Sequence, residues 1–227
     1  MSKGLFITAT GTDVGKTYVT GLIVKKLCEA GFKAGYYKAA LSGAKKVGNR
    51  LIPGDVQYVK EIAGLEEPMD KMVSYVYENA VSPHLAAQIE GNPVEIEKVV
   101  ADYLRQATKY EFMTVEGSGG IVCPIRLDAE KEIWLEDIIK GLGLETLIVA
   151  DAGLGTINQV ALTETYIKNH GMEVKGIILN HYHKGNQMEE DNLKMIERVT
   201  GIPVIATVGD NDEDLEIEVS ELIKLYA

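Results

Sequence analysis

The chain has 227 residues, 46% of them hydrophobic and 25% charged, with 34 acidic against 23 basic side chains and a formal net charge of −11. That length suits one α/β domain with a sizeable core, and the acidic balance argues against nucleic-acid binding, which needs a basic face to neutralise phosphates. No apolar run approaches the ~20 residues of a membrane span. A strand-like pattern follows Met-Ser-Lys-Gly at once, so a cytoplasmic protein with no leader and no membrane partner is expected. The two cysteines, Cys28 and Cys123, lack metal-ligand spacing; Cys28 reads as a small core residue, and no disulfide is expected.

Residues 4 to 17 read as a strand, a glycine-containing turn and a helix start. Backbone N–H groups without partners at such a start, with the helix dipole, form an anion site. Lys16 would set a point charge on the outer phosphates of a nucleotide, and the Thr17 hydroxyl would ligate the magnesium ion that bridges them. The usual phosphate-loop spacing is missed by one, since Gly11 leaves three residues before Gly15. A plain strand leading to a helix capped by Thr12 or Asp13 is the competing reading. Apolar spacing predicts a crossover helix over residues 14–30, ending at Gly31.

A second strand is predicted over residues 33–38, delivering Lys38 and then Ser42-Gly43 to the edge where open α/β sheets bind ligands. Residues 43–54 read as a loop. Asp55 opens a helix through Val59, Ile62 and Ala63, either as its N-cap or as a functional carboxylate. A strand over 72–77, a short helix from Ser82-Pro83-His84 and a longer one over 93–107 follow; His84 alone reads as a satisfied structural histidine. Residues 110–115 form a predicted strand that presents Glu116, then Gly117-Ser118-Gly119-Gly120, where phosphate-loop proteins keep a magnesium-supporting carboxylate.

Residues 134–139 read as a short amphipathic helix and 146–150 as a strand. Gly153 to Asn158 then turn into a helix through Leu162, Thr165 and Tyr166, a second helix start suited to an anionic group. An apolar strand over 174–179 ends in Asn180-His181-Tyr182-His183. Two histidines without a third ligand argue against a metal, whereas Asn180 has the donors and acceptor that reading a purine edge requires. Residues 188–199 read as a helix, 202–207 as the last strand, and 208–214 as an acidic loop decorating the start of a terminal helix that carries Leu215, Val219, Leu222 and Ile223. Strands and helices alternate without repeat or linker, so one α/β domain over residues 1–227 is expected, a mostly parallel sheet of ~7 strands with helices on both faces. Lys16, Thr17, Lys38, Ser42, Glu116, Gly155 and Asn180 all fall at or just after strand ends and can share one crevice.

Taken in order, Phe6-Ile7-Thr8, Gly11 to Thr17, Tyr37-Lys38, Ser42-Gly43, Asp55, Ser82-Pro83-His84, Val115 to Gly120, Gly153 to Asn158 and Asn180 resemble the motif set of the dethiobiotin synthetase family, over residues 4 to about 180. The resemblance implies a P-loop NTPase-type domain and an ATP-dependent cyclo-ligase. Its reaction turns 7,8-diaminononanoate, CO2 and MgATP into dethiobiotin, ADP and phosphate, through a carbamate and a carbamic-phosphoric anhydride. By position it implies nucleotide binding at Asp13, Val14, Gly15, Lys16, Thr17 and Tyr18, with Gly117, Ser118 and Gly119 beside them and Asn180 on adenine. It further implies Mg2+ at Thr17, Asp55 and Glu116, catalytic roles for Lys16 and Lys38, and substrate contacts at Thr12, Lys38 and Ser42. The diamine's carboxylate tail would be held by Gly155, Thr156 and Asn158 contributed by a second subunit, which implies a homodimer.

Two positions depart from the family: Ala9 replaces a loop glycine, for which Gly11 would compensate, and Ala206 to Asp210 lack the usual glycine and proline. Two rival readings fit less well. An amide-forming synthetase acting on a cobalamin precursor would carry a glutaminase domain, for which 227 residues leave no space. A nucleotide switch of the septum-site or plasmid-partition kind would carry an extra lysine early in the phosphate loop, where this chain has Ala9, Thr10, Gly11 and Thr12.

Overall fold

A computed structural model describes residues 2–227. The first strand, β1 (Lys3–Ala9), is buried at every residue after Lys3, and it leads through the phosphate loop into α1 (Lys16–Glu29). Next come β2 (Ala34–Leu41), a small antiparallel hairpin of β3 (Lys45–Val47) and β4 (Arg50–Ile52), α2 (Gly54–Ile62), β5 (Val73–Val76), α3 (Pro83–Glu90) and α4 (Ile96–Ala107). The strand β6 (Phe112–Glu116) is followed by a second hairpin of β7 (Pro124–Leu127) and β8 (Glu132–Trp134), then α5 (Leu135–Leu142). The chain ends with β9 (Thr146–Asp151), α6 (Thr156–Asn169), β10 (Val174–Asn180), α7 (Gln187–Thr200), β11 (Val204–Val208) and the short α8 (Val219–Leu222).

Seven strands form one sheet in the order β11-β10-β9-β1-β6-β2-β5, and every neighbouring pair is parallel. Parallel strands must be covered on both faces, and the period of two along each strand divides their side chains between two cores. Leu5 and Ile7 pack with Leu22, Ile23 and Leu27 of α1 and Val56 and Val59 of α2. Phe6 points the other way, into a core built with Tyr103 of α4, Ile138 of α5, Val160 of α6 and Ile196 of α7. The chain terminus closes the first core: Tyr226 is buried, its hydroxyl lies 2.7 Å from Thr114 Oγ1, and Gly4 N–H donates to the Ala227 carbonyl at 2.9 Å.

Several boundaries differ from the sequence expectation. The second strand runs on to Leu41, so Lys38 lies inside it, three residues before its end, and is buried. Lys38 therefore reaches the sheet's ligand edge by the length of its side chain. Residues 43–54 hold the β3–β4 hairpin rather than a structureless loop, and α5 starts one residue later than expected, behind the unforeseen β7–β8 hairpin. Leu215 is buried but precedes the terminal helix, which shrinks to Val219–Leu222 and a following 3-10 turn. The acidic loop does not decorate that helix. It docks on α1, where the Tyr18 hydroxyl donates to the Asp212 carbonyl, Lys25 Nζ to the Glu213 carbonyl at 2.6 Å, and Lys26 pairs with Asp214 at 3.2 Å.

Candidate active site

A cavity of about 500 Å³ opens where β1, β2 and β6 end. Its walls include Thr12, Asp13, Gly15, Lys16 and Thr17 of the phosphate loop, Lys38 and Ser42 from and after β2, Asp55 from α2, and Ser118 and Gly119 after β6. The loop is held open by left-handed backbone at Asp13 (φ 61°) and Gly15 (φ 84°). Gly15, not Thr12 or Asp13, is the N-cap of α1, and no side chain caps it. The N–H groups of that first turn are thus left for a ligand.

Beneath the cavity lies Glu116, the last residue of β6 and 1% exposed. Its Oε1 accepts from Thr17 Oγ1 at 2.7 Å and from Lys38 Nζ at 2.7 Å, and Lys16 Nζ is 3.7 Å away. Its Oε2 accepts from the Tyr36 hydroxyl at 2.8 Å. Lys38 Nζ also meets Asp55 Oδ2 at 2.7 Å and the Gly117 carbonyl at 3.2 Å. Asp55 sits in the first turn of α2 without making a cap bond, so its carboxylate serves this cluster.

Charge state follows from these contacts. Burial pulls the Lys38 ammonium toward neutrality, but the Glu116 and Asp55 carboxylates outweigh it and its pKa is raised. Burial likewise opposes the Glu116 anion, and Lys38 and Lys16 reverse that, lowering its pKa. Lys16 ends on the other side: burial, and then the nearby Lys38 charge, lower its pKa. An anion in the cavity would relieve the strain on Lys16.

The remaining expected residues are placed as follows. Ser118 Oγ donates to the Ala40 carbonyl at 2.8 Å, tying the 117–119 turn to β2. Tyr18 faces the acidic loop instead of the cavity. Asn180 is 1% exposed and lies against the phosphate loop, its Nδ2 donating to the Val14 carbonyl at 3.1 Å. Gly155, Thr156 and Asn158 form the start of α6 and are not among the residues lining this cavity, so the single crevice expected for all candidates excludes them within one chain. The two histidines of the Asn180–His183 run serve different carboxylates, His181 that of Asp151 and His183 those of Glu189 and Asp210. His84 is not satisfied, since its Nδ1 is buried without a partner. Cys28 is only half-buried. Cys123, whose thiol burial pushes up to about 11, lines a second cavity of about 600 Å³ that shares Thr12, Asp13, Ser42, Ser118 and Gly119 with the first. Tyr36 is the residue that sequence reasoning missed; its position two before Lys38, on the same strand face, was the available signal.

Comparison with known proteins bears on this geometry. A family model described as an AAA domain matches residues 3–216. A protein of Brachyspira hyodysenteriae named ATP-dependent dethiobiotin synthetase BioD is 52% identical over 210 residues, covering 92% of this chain and 93% of that one. A protein of the same name from Clostridium botulinum (strain Eklund 17B / Type B) is 48% identical over 226 residues, covering 100% and 99%. The chain belongs to the dethiobiotin synthetase family. Its fold is also that of more distant proteins: the MinC:MinD cell division protein complex of Aquifex aeolicus (TM-score 0.58, 15% identity, 98% of this chain and 86% of that) and chloroplast FtsY of Physcomitrella patens (0.56, 15%, 99% and 65%).

Within the dethiobiotin synthetase family the departure at Ala9 has a local reason. Ala9 is the last residue of β1, fully buried and in register with Val149, so glycine is not required there. Gly11 does not compensate: it has no positive φ, and an added Cβ would meet nothing within 4 Å. The Asp55 and Glu116 carboxylates both meet the Lys38 ammonium, and the Thr17 hydroxyl donates to Glu116, so the three oxygens belong to one cluster. Hard oxygen donors in that number fit Mg2+, which keeps several positions for water and phosphate.

Proposed function

We propose that the chain closes the cyclic urea of dethiobiotin from 7,8-diaminononanoate, CO2 and ATP in the cavity at the ends of β1, β2 and β6. The observation that carries the reading is the presence of two lysines, the partly buried Lys16 and the buried Lys38, around one buried carboxylate at the phosphate loop. The loop lysine serves the phosphates of the nucleotide. A second lysine in the same cavity suits a second anion, the carbamate formed when one amine of the substrate adds CO2.

In this reading Lys16 neutralises the γ-phosphate and Lys38 the carbamate, and neither acts as a nucleophile. The carbamate oxygen attacks the γ-phosphorus, the bond to the β-phosphate oxygen breaks and ADP leaves. The second amine then attacks the carbonyl carbon, and phosphate leaves as the ring closes. Thr17, Asp55 and Glu116 would hold Mg2+, which supplies charge neutralisation at the phosphates. Thr12 and Ser42 would contact the diamine, the N–H groups of residues 13–18 and 117–119 the phosphates, and Asn180 the edge of the base.

Gly155, Thr156 and Asn158 would receive the carboxylate tail of a diamine bound by a second subunit. The exposed Leu154, Leu162 and Val122 support a covered face there, the last two lining one cavity. No described helix is long and apolar enough to cross a membrane, and the reading places the enzyme in the cytoplasm. The test is incubation of purified protein with MgATP, bicarbonate and the diamine, followed by mass spectrometry for dethiobiotin. Product that requires all three components is expected. ADP release without dethiobiotin would overturn the substrate, and neither product would overturn the ATP-dependent reaction as well.

A further inference from the structure

The reaction scheme leaves unused a hydrogen-bonded chain at the end of β10. Asn180 Nδ2 lies 3.1 Å from the Val14 carbonyl oxygen and 3.2 Å from His181 Nε2. His181 Nδ1 lies 2.7 Å from Asp151 Oδ2, and Asp151 Oδ1 accepts from the Gly153 N–H at 2.7 Å. His181 sits at φ 53°, a region that non-glycine residues enter rarely, and this turns its ring between Asn180 and Asp151.

The proton positions follow from one end of the chain. A carbonyl oxygen only accepts, so the Asn180 atom at Val14 is the amide nitrogen. That nitrogen gives its second hydrogen to His181 Nε2, which must therefore be bare, and the ring proton sits on Nδ1 and is donated to Asp151. Both hydrogens of the carboxamide are then committed. Its Oδ1 is buried and has no partner, an acceptor left free in a residue that is 1% exposed.

We propose that His181, held in its Nδ1–H form by Asp151, is a positioning residue that fixes the Asn180 carboxamide as a hydrogen-bond acceptor toward the nucleotide base. The site thereby selects a base that offers an exocyclic amine at that edge, such as adenine, over one that offers a carbonyl, such as guanine. This rests on the reading of Asn180 as the group at the base edge, and not on the ring-closing chemistry.

The test uses the whole protein with nucleotides alone, so that failure of the ring-closing reading leaves it intact. Asp151→Asn keeps the side-chain shape and its oxygen can still accept from Gly153, but its amide faces the ring with a donor and drives the proton to Nε2, opposite the Asn180 amide. Long-range 1H–15N spectra should place the His181 proton on Nδ1 in the unaltered protein and on Nε2 in this variant. Calorimetric titration should show tighter binding of ATP than GTP, with that ratio reduced about tenfold by Asp151→Asn, the net weight of one hydrogen bond. His181→Asn, a residue tolerated at positive φ, should reduce it similarly. A ring protonated on Nε2 in the unaltered protein, equal affinity for ATP and GTP, or a ratio unchanged in both variants would overturn the proposal.

Discussion

Lys38 and Glu116 are register partners on the adjacent parallel strands β2 and β6, and their charged ends meet at 2.7 Å. Residues in register on parallel neighbours project to the same face, so the sheet itself delivers the pair. Both side chains are buried. Removing one partner of a buried pair strands the other charge, at a cost of about 3–5 kcal/mol. Lys38→Ala should therefore lower the unfolding midpoint as well as abolish turnover, and adding Glu116→Ala should recover part of the lost stability. Urea titration of the single and double variants checks this, and an unchanged midpoint in Lys38→Ala would leave that lysine with a chemical role only.

The same pair sets two pH limits. Glu116 has a folded pKa below its ordinary 4.5, so its contribution is fully present above 4.5 and is lost as pH falls through the lower folded value. Lys38 has a folded pKa above its ordinary 10.5, so its contribution is complete below 10.5 and is lost as pH rises through the raised value. Urea midpoints measured across both limits should fall at each end, and Lys38→Met should flatten the alkaline limb.

Tyr36→Phe removes the donor to Glu116 Oε2 and leaves that buried oxygen without its partner. The expected loss is about 1–3 kcal/mol, together with a shift of the acid limb to higher pH because the anion is less well held. Thermal unfolding at neutral and acid pH measures both.

Gly15→Ala places a Cβ 2.0 Å from Asn180 Nδ2 at a backbone φ of 84°. Nucleotide affinity should fall on the order of a hundredfold, from roughly 3 kcal/mol of loop strain. Gly11→Ala adds its Cβ to open space and should bind nucleotide nearly as before. Comparable losses from both, in the same titration, would refute the loop geometry.

If residues 155–158 complete a neighbouring subunit's site, Lys16→Ala and Asn158→Ala proteins that are each inactive should regain part of the activity when mixed. Subunit exchange followed by native mass spectrometry establishes that hybrids form. No recovery in confirmed hybrids would count against the shared site.

The alternation of apolar strands with amphipathic helices made the parallel sheet legible, because fully buried strands such as β1 and β9 read as continuous apolar runs. The Gly15-Lys16-Thr17 triplet marked the phosphate loop for a comparable reason, since anion binding constrains residue type as tightly as burial does. What the sequence hid was the contact of Tyr36: nothing local to it says that its hydroxyl meets Glu116, since the register of β2 against β6 is a long-range fact. The β3–β4 and β7–β8 hairpins were missed because their strands of three or four residues carry too few alternations to signal a period. His181 was one of two histidines with no third ligand and no assigned partner, and only the structure, with its left-handed backbone there, shows which group its ring meets.

The central strand of the sheet, β1, lies between β9 and β6, and its partners begin far along the chain, at Phe112 and Thr146. A nascent chain therefore carries β1 unpaired until β6 has been made, and the face over α1 stays open until Tyr226 meets Thr114. Such late pairing makes for slow acquisition of structure and long exposure of apolar strand to chaperones.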